Sequence, residues 1–177
     1  GFVALNGVDF HVGAGERVGL IGPNGSGKST LVNCIAGALR NDTGSVRFAG
    51  QAIDGMPGHR RARLGLARSF QLPRPFRSLS VGDNIRIPLI YAAADRGRDH
   101  HTSAAVADRI GELLDLVGLG AMRDRRPRDL TQVDMRKLEL ARAIAAEPKL
   151  LIADEAMAGL SHCEWDGILA LLLRVNE

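Results

Sequence analysis

Aromatic residues are scarce in this 177-residue chain: one Trp, one Tyr and five Phe, or 4% in all. That excludes the stacked-ring platform on which single-stranded nucleic acids are held. Cysteine is nearly absent, and Cys34 and Cys163 are too far apart for a disulfide framework or a metal site. Long apolar runs are missing as well. Residues 150–153 and 168–173 are core-sized, well short of the roughly 18 residues a membrane-spanning helix requires. Residues 1–10 lack a basic region followed by an apolar run, so no secretory signal is visible and a cytoplasmic, reducing location is expected. Charge of one sign is lacking too. The 23 Lys plus Arg and 20 Asp plus Glu leave only +3, too little to argue for a nucleic-acid partner. Lysine itself is rare, three of those 23, so a lysine in a special setting is informative.

What remains is ordinary for a globular protein, 45% hydrophobic and 24% charged, and the length suits one domain or one domain with a small insertion. No internal repeat or low-complexity segment is present. Residues 3–5, 8–12 and 17–21 read as strands, with a turn at 13–16. Residues 28–38 read as a helix with Leu31, Ile35 and Ala38 on one stripe. A short strand at 45–49, a basic turn or helix at 58–64 and a strand at 66–70 follow. Pro, Arg and Ser then dominate to about residue 82, and Ser80 to Asp83 has capping-box spacing, opening a helix towards Tyr91. Residues 94–102 form a polar linker. Residues 103–117 carry Val106, Ile110, Leu113, Leu114 and Val117 at helical spacing. Residues 150–153 read as a buried parallel strand, and a capping box at 161–164 starts a last helix to residue 173. Alternating strands and helices imply an α/β fold: a core built from residues 1–71 and 146–177, with a helical subdomain inserted at 72–145. The groups Arg60, Arg61, Arg63 and Arg123, Arg125, Arg126, Arg128 read as solvated faces, and His100 with His101 as a loop pair.

One segment carries chemistry. Gly22, Pro23, Asn24, Gly25, Ser26, Gly27, Lys28, Ser29 and Thr30 match G-x-x-x-x-G-K-[ST] between a predicted strand and a predicted helix, the context this motif requires. A polyphosphate needs several N–H donors at close range. The glycines let the backbone curl towards it without a Cβ, and the helix start adds orphan N–H groups and the positive end of its dipole. Lys28 can reach the β and γ phosphates, Ser29 can ligate Mg²⁺, and Thr30 is a further phosphate contact. Downstream, the apolar run at 150–153 ends in Asp154 and Glu155. In a phosphate-loop protein, Asp154 would hold the Mg²⁺ shell and Glu155 would polarise the attacking water. ATP and Mg²⁺ are the cofactors these residues imply.

These residues, over essentially the whole chain, resemble the ATP-binding cassette (ABC) ATPases, the motor domains of membrane transporters. The resemblance implies a P-loop NTPase (RecA-like) core with an antiparallel β subdomain and an inserted helical subdomain. It implies that Gln71 is the glutamine contacting Mg²⁺ and the reacting water, and that Ala158, Gly159, Leu160 and Ser161 form the loop crossing to the opposite subunit. Ile53 to Pro57, Arg68 to Gln71, Phe76, Arg77 and Val81 to Asn84 resemble the branched-chain amino-acid importer branch. The implied partners are transmembrane permease subunits and a second ABC ATPase, with the protein peripheral on the cytoplasmic face of the cell membrane.

The chain departs from the family pattern in places. The signature that reads Leu-Ser-Gly-Gly-Gln in the family corresponds to Leu130, Thr131, Gln132, Val133 and Asp134. Val133 puts a β-branched side chain where the backbone should approach a phosphate held by the partner, and Asp134 puts negative charge at that helix end. An ordinary capped helix, with Thr131 and Asp134 as its box, is the alternative. Ala156 stands where the family has proline, with little effect expected. The family's adenine-stacking aromatic lies upstream of residue 1 and its switch histidine beyond Glu177, so the chain is expected to be part of a longer cassette, incomplete at both ends, or a degenerate copy. Two functions therefore compete: an ATP-hydrolysing transporter subunit, and an ATP-binding regulatory subunit with little hydrolysis of its own. A third, a DNA-repair or chromosome ATPase, requires long heptad insertions that the sequence lacks.

Overall fold

The computed structural model describes residues 3–69, 73–93 and 103–153, and the chain divides into two compact units, the first ending at Arg61 and the second beginning at Ala62. The first unit holds helix α1 (Lys28–Ala36) and a hairpin of β1 (Arg47–Phe48) with β2 (Gln51–Ala52), and the basic stretch expected at 58–64 forms helix α2 (Gly58–Leu64). Arg47 faces Ala52 and Phe48 faces Gln51 across Ala49 and Gly50, both at positive φ, the two-residue turn whose twist matches a hairpin. The expected strand at 45–49 is thus shorter, and its partner β2 carried no sequence signal. α1 stops two residues early. The Gly37 amide donates to Cys34 O and the Ala38 amide to Asn33 O, so the chain turns away in a left-handed cap.

The largest correction is at the start of the chain. Residues 3–5, 8–12 and 17–21 form no hydrogen-bonded strand, although the turn at 13–16 is closed by the Glu16 amide donating to Gly13 O at 3.1 Å. Alternating apolar residues specify which face a strand would bury, but a strand exists only where a neighbour pairs its backbone. Without a ladder, the side chains stay open: Ile21 is 94% exposed and Val3 70%. Arg61 is a second correction. It is buried, not on a solvated face, whereas Arg60 and Arg63 are exposed as expected.

The second unit pairs β3 (Leu66–Ser69) with β4 (Leu150–Ala153) in parallel, Leu66 opposite Leu150 and Ser69 opposite Ala153. The Gly65 carbonyl accepts from the amides of Lys149 and Leu150 and sets this register. Between the strands lie α3 (Val81–Ala93), α4 (Ser103–Leu116) and α5 (Gln132–Ala145), and no strand occurs among the described residues of this stretch. Their apolar stripes meet in one core: Val81, Ile85 and Leu89 from α3, Ile110, Leu113 and Leu114 from α4, Leu138, Ala141 and Ala145 from α5. Each fully buried Leu or Ile contributes about 1.5–3 kcal/mol, which makes this core the main stabilising feature of the unit. α3 begins as its spacing predicts: the Asp83 amide donates to Ser80 Oγ at 3.0 Å and Ser80 Oγ donates to Asp83 Oδ2 at 2.8 Å. The linker, the histidine pair and the last helix expected at 161–173 lie wholly or almost wholly outside the described residues.

Candidate functional site

The phosphate loop is shaped by its glycines. Gly25 and Gly27 sit at φ +82° and +88°. A Cβ on Gly27 would also meet Ala4 O at 2.8 Å, so only glycine fits between that segment and the start of α1. Gly22 approaches Ser26 closely enough that a Cβ there would lie 2.8 Å from its Oγ. Inside the curl, Lys28 Nζ donates to Gly22 O at 2.6 Å and Pro23 O at 2.7 Å, with Ser26 Oγ at 3.4 Å. The loop thereby gathers a fixed cation beside its own backbone.

α1 starts without a side-chain cap and without an acidic residue in its first turn. Its first intrahelical bond runs from the Leu31 amide to Gly27 O at 2.9 Å. The amides of Lys28, Ser29 and Thr30 are therefore the helix's orphan donors, at the positive end of the dipole. Ser29 beside them is exposed. Backbone donors, an ammonium and a hydroxyl thus come together over three residues, a donor set for a polyanion with a hard cation.

The start of α5 is built the opposite way. Thr131 Oγ1 accepts from the Asp134 amide at 3.1 Å and donates to Asp134 Oδ2 at 2.7 Å, while the Thr131 amide reaches Asp134 Oδ2 at 3.4 Å. The capping box is complete, with Gln132 and Val133 in the first turn. A carboxylate satisfies this helix end from within.

β3 and β4 run parallel and end side by side at Ser69 and Ala153. Gln71, Asp154 and Glu155 follow these strands within two residues in the sequence, and they lie outside the described residues, as do residues 158–161. Downstream of Gln71 the structure shows a clamp that no motif announced. Arg142 Nη1 donates to Glu139 Oε2 at 2.7 Å and to Arg74 O at 3.0 Å, and its guanidinium lies 5.0 Å from the centre of the Phe76 ring. Buried Asn84 holds both backbone groups of Phe76, accepting from its amide at 2.8 Å and donating to its carbonyl at 3.1 Å. Glu139 is a local i,i+3 partner of Arg142, but Asn84 lies 8 residues from Phe76 and Arg142 lies 68 from Arg74, beyond any local spacing rule.

The sequence model of the family described as ABC transporter matches residues 5–158. The methionine import ATP-binding protein MetN of Bordetella pertussis is 37% identical over 180 residues, covering 99% of this chain and 47% of that protein. The high-affinity branched-chain amino acid transport ATP-binding protein LivG of Escherichia coli is 33% identical over 172 residues, covering 93% of this chain and 68% of that protein. The chain thus spans about half the length of the MetN relatives. Among solved structures, the dimeric post-hydrolysis state of the ATP-binding cassette MJ0796, bound to ADP and Pi, superposes with a TM-score of 0.86 at 25% identity, over 98% of this chain and 75% of that one.

Proposed function

This chain belongs to the ABC transporter family, and on that premise we propose that it binds and hydrolyses ATP as the motor subunit of an importer for branched-chain amino acids or a related small solute. It shares the P-loop NTPase fold of the family's cassettes. The observation that carries the reading is the ammonium of Lys28 held at Gly22 O and Pro23 O beside the uncapped start of α1. An acid-free helix end with two positive-φ glycines fits a triphosphate, and the exposed Ser29 hydroxyl fits its metal ion.

In this reading Lys28, with Gly22 to Thr30, grips the phosphates, and Ser29, Gln71 and Asp154 hold Mg²⁺. The bound ion supplies charge neutralisation on the phosphate oxygens. Glu155 orients and polarises the attacking water. The chain contributes positioning and electrostatics and forms no covalent bond to the nucleotide. Its partners are membrane-embedded permease subunits and a second cassette, on the cytoplasmic face of the membrane. Among the described residues no helix is long and apolar enough to cross a membrane. Residues 1–71 and 146–177 serve as the nucleotide-binding core and 72–145 as the helical subdomain.

One observation favours a second reading. The start of α5, the signature position, is closed by Asp134 and carries Val133, so this chain offers a partner's nucleotide a poor contact. It then either pairs with a different cassette that has an intact signature, or holds ATP as a regulatory subunit with little turnover. Calorimetry with Mg·ATP and phosphate release from the full-length protein separate these. Turnover abolished by Glu155→Gln, with binding retained, establishes the motor. Tight ATP binding without phosphate release establishes the regulatory subunit. Unchanged turnover in Glu155→Gln removes the catalytic assignment, and Val133→Gly without effect removes the steric one.

A further inference from the structure

The nine residues of α1 hold no basic residue in the last turn and no acidic residue in the first. Neither end of the helix dipole is complemented locally. The C-terminal end is complemented from 26 residues away. Arg61 is 2% exposed, and its guanidinium donates from Nη1 to Cys34 O at 2.7 Å and Ile35 O at 2.8 Å, and from Nε to Met56 O at 2.8 Å. The fit is close. A Cβ on Gly37 would meet Arg61 Nε at 2.7 Å and Met56 O at 2.9 Å, and one on Gly58 would meet Ala36 O at 3.1 Å. Asp54, the nearby carboxylate, holds the Val46 amide at 2.8 Å and acts on the guanidinium only through space. Burying a guanidinium without a bonded carboxylate is costly, and three carbonyl acceptors offset that cost only while the last turn of α1 keeps its place.

We propose that Arg61 is a positioning residue for the phosphate site: it pins the carbonyl end of α1, so that the amide end stays aligned with the phosphate loop. A helix of this length is marginal by itself, and fraying one turn removes a large part of it. Losing the pin shortens the dipole and frees the axis that carries Lys28 and Ser29. The inference rests on the reading that the loop binds a triphosphate and adds the residue that keeps it in register.

The test uses full-length protein and inorganic tripolyphosphate, the part of the ligand this site grips, at a temperature where circular dichroism shows every variant folded. Arg61→Met is expected to weaken tripolyphosphate binding about fivefold. Arg61→Lys, which keeps the charge but loses the fork of donors, is expected to fall between. Unchanged affinity in Arg61→Met, with only a lower Tm, overturns the inference, because a purely structural residue leaves native-state affinity alone. If Arg61→Met does not fold, Arg61→Lys and the unmodified protein decide. By linkage, tripolyphosphate must slow hydrogen exchange at Arg61 Nε–H, and an exchange rate indifferent to the ligand refutes the coupling. Lys28→Ala is the control. If it binds tripolyphosphate as tightly as the unmodified chain, the phosphate-loop reading itself fails. If it loses binding while Arg61→Met does not, only the role of Arg61 falls.

Discussion

α1 and α5 begin in opposite ways. α1 starts on Gly27, a residue without a side chain, with no acid in its first turn and a lysine folded over the preceding carbonyls. α5 starts on Thr131, whose hydroxyl and the Asp134 carboxylate satisfy each other's backbone amides. Both ends carry the same partial positive charge and the same orphan donors. The difference is who satisfies them. A helix end left open costs stability and gains a ligand, whereas one closed by its own carboxylate gains stability and repels an anion.

The contrast breaks first at Lys28. Lys28→Ala removes a charged donor, and Mg·ATP binding measured by calorimetry is expected to weaken about 10- to 100-fold. Next comes Gly27→Ala, which forces a left-handed alanine against Ala4 O at a cost of about 1–2 kcal/mol. A fall in Tm of about 3–6 °C is expected by calorimetric scanning, together with weaker ATP binding. If both stay unchanged, α1 does not owe its open end to Gly27. At α5 the sign of the comparison reverses. Thr131→Ala is expected to cost about 1 kcal/mol, or about 2–4 °C in Tm, and to leave ATP binding to this chain untouched. The smallest effect belongs to Asp134→Asn, about 0.3–1 kcal/mol of lost dipole complementarity, read as a slightly lower urea midpoint. An ATP affinity that tracks either α5 change would show that the two helix ends are not independent.

Legibility in the sequence followed the same division between local and distant partners. The phosphate-loop motif placed the start of α1, and the boxes at Ser80 and Thr131 placed the starts of α3 and α5, because those partners lie within three residues. The stripe of Val106, Ile110, Leu113 and Leu114 placed α4 on its buried face. The short run at 150–153 became β4, paired in parallel with β3 as expected, but it is only half-buried and Ala153 is exposed, so the burial expected on both faces is not seen. The run at 8–12 had the alternation of a strand and those at 3–5 and 17–21 its apolar character, but no ladder formed on any of them. Arg61 looked like one more surface arginine beside Arg60 and Arg63, and Arg142 like one more helix cation. Nothing within a few residues of either announces a buried carbonyl cluster or the Phe76 ring.

The order of residues alone therefore specified the phosphate-loop motif, the caps and the apolar stripes, since each is a pattern carried by one short stretch of chain. Only the tertiary structure decided that a guanidinium 26 residues downstream holds the end of α1, and that Asn84 and Arg142 fix the segment after Gln71. Those contacts depend on where distant backbone carbonyls come to rest. That is settled when the core closes and not by any spacing along the chain.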